Sequence, residues 1–323
     1  MNDIRVAVLR GGPSEEYAVS MQSGSRVLAA LDALEYPRKD IVITKKGEWL
    51  DNGFVKAPER ALEAVDVVFI ALHGTYGEDG QVQRILERKC IPYTGSAALT
   101  SAIAFNKELT KQTLLPHQIK MPRHRRVTRA DLDQLDEELP NIFKEIGAEL
   151  FVKPLASGSS FGAQYVPTET ILRTALEELL QQYETVLVEQ FIRGKEATVG
   201  VLSNFRNESA YVLPVIEIVP PNGLPLFSHE DKYNGKTDEI VPGRFSYHEK
   251  AELTRVAAEV HEIVGCRHYS RSDFIVKDGE VYFLEVNTLP GLTAESLFPK
   301  AAAAVGLEYP QLIDHLVKTA LTR

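Results

Sequence analysis

The chain is poor in the residues that staple or anchor unusual folds. Its 323 residues include two cysteines and one tryptophan. Cys90 and Cys266 are far apart and form no CxxC pair, which argues against a disulfide framework or a zinc site and fits a reducing compartment. No apolar run approaches the ~18 residues of a membrane span. Basic charge is in deficit: 36 Lys and Arg stand against 45 Asp and Glu, for a net charge of −9. That balance argues against a nucleic-acid surface but allows a local pocket for phosphates. With 21 Gly, 17 Pro and no repeat period, collagen-like and low-complexity chains are excluded. Met1 to Arg5 lead straight into a strand pattern, so no signal peptide is expected. The expectation is a cytoplasmic globular protein with no membrane and no nucleic-acid partner.

What is present is ordinary core material. Hydrophobic residues make up 44% and charged residues 25%, and the length suggests two or three units. Val6 to Leu9 reads as a buried strand, followed by the turn Gly11-Gly12-Pro13 and helical spacing over Ser20–Leu34. Val67 to Leu72 is a second buried strand ending at His73-Gly74, and Gln81–Arg88 is helical. The alternation predicts a parallel α/β unit over roughly the first 95 residues. Ser96–Leu115 is expected as one helix. A strand at Leu150–Lys153, a loop over Pro154–Gly162, a helix over Thr168–Gln182 and a strand at Val186–Glu189 predict a smaller α+β unit. Strands at Ala197–Leu202 and Ala210–Ile218 follow. The irregular segment Pro220–Pro242 is long enough to expect a functional lid. A helix over Tyr247–Val264 leads to a hairpin over Ser270–Val286 and to C-terminal helices.

The hairpin carries the sharpest chemical signal. Read with a three-residue loop Lys277-Asp278-Gly279, it sets Arg271 opposite Glu285 and Asp273 opposite Phe283. One face then holds Arg271, Asp273, Ile275, Val281, Phe283, Glu285 and Asn287. The other is a core face of Phe274, Val276, Tyr282, Leu284 and Val286. Two carboxylates and an amide oxygen suit Mg²⁺, which also takes phosphate oxygens from a nucleotide. The plainer reading is a solvated face with a salt bridge. A two-residue turn would shift the register by one and split the set.

Other motifs are weaker singly. Gly158-Ser159-Ser160-Phe161-Gly162 could bring backbone N–H groups to phosphates or be a plain turn; it is not the GxxxxGK[ST] loop. Lys107 and Lys153 could meet phosphates or be surface lysines. Gly11-Gly12-Pro13-Ser14-Glu15-Glu16 lacks GxGxxG, so a dinucleotide fold is not expected. Its acids suit either an ammonium ligand or the start of a helix. His73 opens a glycine-rich loop at a strand's C-terminal end, where ligands bind in open α/β sheets.

Taken in order, these motifs resemble the D-alanine–D-alanine ligases of the ATP-grasp superfamily over nearly the whole chain. The resemblance runs through Gly11-Gly12-x-Ser14-x-Glu16-x-x-Val19-Ser20, His73-Gly74-x-x-Gly77-Glu78-Asp79-Gly80, Tyr93-Thr94-Gly95-Ser96 and Asn106-Lys107. It continues through Val152-Lys153-Pro154, Gly158-Ser159-Ser160-x-Gly162, Val188-Glu189, Gly194-x-Glu196 and Lys232-Tyr233. It closes on Arg271-x-Asp273 and Glu285-x-Asn287-Thr288-x-Pro290-Gly291-x-Thr293-x-x-Ser296-Leu297.

The resemblance implies an α/β and α+β architecture: an ATP-grasp fold behind an N-terminal parallel α/β domain. The expected boundaries are 1–97, 98–188 and 189–323, with the lid at 220–242. It implies ATP-dependent joining of two D-alanines through D-alanyl phosphate, for peptidoglycan and cell shape, by a homodimer. Glu16 would hold the first ammonium, with His73 nearby, and Ser159 and Tyr233 would link to Glu16 on closure. Lys107, Lys153, Ser160 and Lys232 would meet ATP phosphates. Glu189, Phe191 and Ile192 would flank the adenine and Glu196 the ribose. Asp273, Glu285 and Asn287 would hold two Mg²⁺ ions, with Mn²⁺ as a substitute. Arg271 and the Gly291 N–H would stabilise an oxyanion, and Ser296 and Leu297 would hold the second carboxylate.

Four departures from the family pattern stand out: Asn106 for the usual Asp, Ala18 for a frequent acid, Gln190 for a frequent Lys, and Leu155-Ala156-Ser157 before the serine loop. Tyr233 favours an amine as second substrate. The competing readings are an ATP-grasp ligase for a different small amino acid, and a nucleotide-binding module without ligase activity.

Overall fold

The computed structural model describes residues 3–156, 162–220 and 237–322. Ser159, Ser160, Lys232, Tyr233 and most of the expected lid lie outside the described residues.

Three sheets organise the chain. The first is five-stranded, in the order Phe54–Lys56, Trp49–Asp51, Arg38–Ile43, Val6–Gly11, Val67–Ile70. Val6–Gly11 pairs in parallel with Arg38–Ile43 and with Val67–Ile70. The two outer strands pair antiparallel, so the expected parallel unit carries an antiparallel edge that its short strands did not announce. Helix Tyr17–Ala33 covers this sheet. The C-terminal helices Leu297–Ala304 and Tyr309–Leu321 return to it, and Phe298, Leu312 and Leu316 share its core with Leu9, Leu31 and Ile70.

The second sheet is antiparallel, in the order His124–Thr128, Thr185–Gln190, Leu150–Pro154, Gln164–Val166. Helices Leu135–Ile146 and Glu169–Gln182 bury Leu139, Ile142, Leu172 and Leu176 against it. The third sheet is six-stranded around Lys195–Phe205, with Tyr269–Lys277 and Glu280–Asn287 on one side. Its expected strand Ala210–Ile218 is two, Glu208–Val212 and Ile216–Val219. Pro214 lies between them and has no N–H for a ladder. Helix Tyr247–Val264 covers the sheet from a Ser246/Glu249 capping box.

The single helix expected over Ser96–Leu115 is also two, Ala98–Phe105 and Lys107–Leu114. Asn106 between them is extended, and its side chain accepts the Leu109 N–H at 3.0 Å. Asparagine caps as well as the family's usual aspartate. The break makes Lys107 the first residue of a new helix. Ala104 and Leu114 anchor the pair in the core of the third sheet.

The hairpin corrects its expected register. Lys277 pairs with Glu280 around a two-residue Asp278-Gly279 turn, with φ of 51° and 81°. This is the turn preferred between twisted strands. Phe274 pairs with Phe283 and Val276 with Val281, so Val281 and Phe283 are core residues, and Tyr282 and Leu284 leave the core face. Left alone, that register would bury Glu285 opposite Ser272. A bulge between Asp273 and Phe274 shifts the pairing by one residue at Leu284. Beyond it Asp273 faces Glu285 and Arg271 faces Asn287. The turn and the register differ from expectation, and the four polar residues still share one face.

Candidate active site

The N-terminal wall is built at the ends of two parallel strands. Ser14 Oγ donates to the His73 carbonyl at 2.6 Å and accepts the Glu16 N–H at 3.1 Å. The Glu16 carboxylate lies against Gly74, where a Cβ would stand 2.9 Å from Oε2. His73 is buried. The Leu289 carbonyl, 3.2 Å from Nδ1, can only accept, so Nδ1 carries the proton. Nε2 then accepts from Ser23 Oγ at 2.9 Å. Burial pushes the His73 pKa down to about 4, with the Leu289 bond partly opposing; the ring is neutral and acts as a fixed strut.

That strut reaches the turn after the hairpin. Arg26 donates to the Thr293 carbonyl at 2.6 Å, and Ser23 Oγ accepts the Leu292 N–H at 3.4 Å. The turn holding Gly291 is therefore tied to helix Tyr17–Ala33 at several points. Gly291 lies close to Ser296: a Cβ there would meet Ser296 Oγ at 2.7 Å and make that hydroxyl move. Ser296 Oγ in turn accepts the Thr293 N–H at 3.0 Å. Ser296 precedes helix Leu297–Ala304, so its hydroxyl and the Leu297 N–H lie at a helix N-terminus, a place suited to a carboxylate.

Arg271 and Asp273 form a two-point pair, Nε to Oδ1 and Nη2 to Oδ2, each 3.0 Å. Thr198 Oγ1 donates to Asp273 Oδ1 at 2.5 Å. Burial opposes the Arg271 charge, but Asp273 in contact outweighs it and raises the pKa. Glu285 faces Asp273 and takes Lys107 at 3.3 Å. Asn287 Oδ1 accepts the Leu289 N–H at 3.0 Å. Asp273, Glu285 and Asn287 thus form an oxygen-only donor set that fits hard divalent cations. Glu196 lies two residues before Thr198 on the same strand face, opposite Ile275.

Behind this wall sits a buried cation–anion–cation row. Glu189 is 2.6 Å from Lys153 through Oε2 and 2.9 Å from Lys111 through Oε1. Burial opposes the Glu189 charge, but the two lysines lower its pKa to about 2. Lys153 is raised, because Glu189 and Glu285 outweigh burial; Lys111 is lowered, because burial dominates. Phe191 packs on Tyr165, ring centroids 4.7 Å apart, and on Phe151, while Ile192 is buried. The buried ammoniums and the neighbouring aromatic surface fit a nucleotide's phosphates and base.

The structure thus gathers Lys107, Arg271, Asp273, Glu285 and Asn287 on one side, and Glu16, His73, Gly291, Ser296 and Leu297 on the other. Lys153, Glu189, Phe191 and Ile192 lie on and just beyond the strands of the second sheet, and Glu196 on the adjoining strand of the third. Two contributors carried no role in the sequence reading. Glu78, inside the quoted glycine-rich loop, lines a cleft with Lys107, Glu285 and Asn287. Burial and the nearby Glu16 raise its pKa well above the ordinary value. Lys111 follows Lys107 by four residues, and helical spacing alone places it on the same face.

Comparison with known proteins agrees with this arrangement. Residues 115–318 match the family model described as D-ala D-ala ligase C-terminus, and residues 5–62 and 51–96 match D-ala D-ala ligase N-terminus. A D-alanine--D-alanine ligase of Desulforamulus reducens is 39% identical over 98% of this chain and 99% of its own. One from Pelotomaculum thermopropionicum is 40% identical over 98% and 97%. The solved D-alanine--D-alanine ligase of Bacillus anthracis complexed with ATP superposes with a TM-score of 0.81 at 32% identity, covering 99% of this chain and 98% of that one. With an N-terminal sheet, two further sheets meeting at a lysine-rich cleft and full-length relatives of this kind, the chain belongs to the D-alanine–D-alanine ligase family of the ATP-grasp fold.

Proposed function

We propose that this chain joins two D-alanine molecules through D-alanyl phosphate, giving D-alanyl-D-alanine, ADP and phosphate for peptidoglycan precursors. The single observation that carries the site reading is the facing pair Asp273 and Glu285, backed by Arg271 and Lys107 and adjoining the turn locked to His73. Lys107 and Lys153 would hold the phosphates, and Phe191, Ile192, Glu189 and Glu196 the nucleoside. Glu16 would take the first ammonium, placing its carboxylate toward the phosphates. Proximity of this kind turns a bimolecular encounter into an intramolecular step. The amine of the second D-alanine, held by Ser296 and the Leu297 N–H, would then attack the acyl carbon. Arg271 and the Gly291 N–H would stabilise the resulting oxyanion. Two Mg²⁺ ions, or Mn²⁺, held by Asp273, Glu285 and Asn287, would neutralise charge on the transferring phosphoryl group. Ser159, Ser160, Lys232 and Tyr233 would close the site against water, which hydrolyses acyl phosphates.

The same reading places the enzyme in the cytoplasm as a homodimer, with units at 1–97, 98–188 and 189–323. Among the described residues no helix is long and apolar enough to cross a membrane. The test is phosphate release from ATP and Mg²⁺ with D-alanine, L-alanine, D-serine or D-lactate supplied separately. Release with D-alanine, and dipeptide identified by mass, is expected. ATP binding without release for any D-alanine supply would overturn the reading.

A further inference from the structure

Lys111 is the most deeply buried ammonium in the cleft, 1% exposed, yet neither phosphate reading nor metal reading uses it. It lies one helical turn beyond Lys107 on helix Lys107–Leu114. Lys107 reaches across to Glu285 of the hairpin, and Lys111 reaches Glu189 of the second sheet. Glu189 divides its two oxygens between Lys111 and Lys153. The two partners are not equivalent. Both lysines lie in the field of Glu285, and Lys153 lies also in that of Asp273, toward the phosphoryl end. Among the described residues, neither Lys111 Nζ nor Glu189 Oε1 makes a well-aligned hydrogen bond, although the two are 2.9 Å apart. The pair therefore keeps hydrogen-bonding capacity that its 2.9 Å contact does not use.

When Lys153 turns toward a phosphate, Glu189 would be left as a buried carboxylate. An uncompensated buried charge is far more costly than a paired one. We propose that Lys111 is a positioning residue of the nucleotide site, the resident counter-ion that holds Glu189 toward the base while Lys153 serves the phosphates. The proposal rests on the nucleotide lying at this row of charges. It assigns the two lysines different tasks on one carboxylate: Lys153 is exchanged and Lys111 is not.

The test compares Lys111→Met, Lys111→Arg, Glu189→Gln, Lys153→Met and the double variant Lys111→Met/Glu189→Gln. KM is measured for ATP and for D-alanine, with ADP affinity by calorimetry. Lys111→Met should raise KM for ATP about tenfold and leave KM for D-alanine within about twofold, while Lys111→Arg recovers most of the loss. Because Lys111 acts through Glu189, the double variant should be no more than about twofold worse than Glu189→Gln alone. A fully additive double variant, or an unchanged KM for ATP in Lys111→Met, overturns the proposal. If Lys111→Met does not fold, the double variant against Glu189→Gln decides, since Lys153 loses its Glu189 partner equally in both and the two differ only at Lys111. If Lys153→Met also leaves KM for ATP unchanged, the placing of the nucleotide itself falls.

Discussion

Asp273 and Glu285 stand directly opposite each other across the hairpin, and each has its own counter-charge, one from the same strand and one from a helix. Arg271 grips both oxygens of Asp273, while Lys107 comes from a helix to Glu285. Two facing carboxylates repel, so the pair holds only with cations on both. The same two cations are the proposed oxyanion and phosphate ligands. The resting ion pairs therefore hold these groups in place before any substrate arrives.

Arg271→Ala tests the oxyanion role. Losing one such donor costs about 2.7 kcal/mol or more, so kcat should fall at least about 100-fold. Calorimetry should still detect ADP binding, because Lys153 and Lys107 remain. Near wild-type turnover in the steady-state assay would remove Arg271 from the mechanism.

Gly291→Ala tests the second carboxylate site. The new Cβ would stand 2.7 Å from Ser296 Oγ and displace it. Misplacing a binding group by about 1 Å can cost about 100-fold in rate. Dipeptide formation should fall by that order, while positional isotope exchange in ATP with D-alanine, which reads the first half-reaction, persists. Equal loss of both would contradict the assignment.

Asn106→Ala should destabilise the protein by about 1 kcal/mol, read by urea unfolding, because it removes the cap of helix Lys107–Leu114. Asn106→Asp should stay within about 0.5 kcal/mol of wild type. A neutral Asn106→Ala would show that the helix start is fixed by packing alone.

Two buried histidines, His73 and His261, and the half-buried His268 set an acid limit. Burial lowers His73, His261 and His268 each to about 4. The unfolded chain takes up their protons near pH 6.5, well before the folded one does. Stability therefore falls as pH drops from 6.5 toward 4, by up to ~1.4 kcal/mol per pH unit for each group. Urea unfolding at pH 7.0 and 5.5 checks this; a flat profile across that interval would show the histidines charged in the fold.

Much of this was legible from order and periodicity. Helices Gln81–Arg88 and Tyr247–Val264 fall where the apolar spacing placed them. The polar set at 271, 273, 285 and 287 was found, although the turn and register were not, because a bulge depends on sheet twist rather than on local residue type. The edge strands Trp49–Asp51 and Phe54–Lys56 are three residues each, too short for alternation to register. The helix break at Asn106 was hidden inside a continuous helical pattern. Lys111 was hidden differently: a lone lysine on a helix reads as solvated, and only its buried partner Glu189 reveals otherwise.

The bulge at Leu284 makes the hairpin's arithmetic one of parity. Which face Glu285 presents depends on whether the count of residues between it and Asp273 is odd or even. The two-residue turn and the extra residue are compensating slips. Deleting the extra residue would turn Glu285 and Asn287 toward the core face, while a compensating insertion in the same strand would restore them. Length variation in this segment should therefore be viable only in paired steps, as frameshifts in a gene are rescued by a second shift of opposite sense.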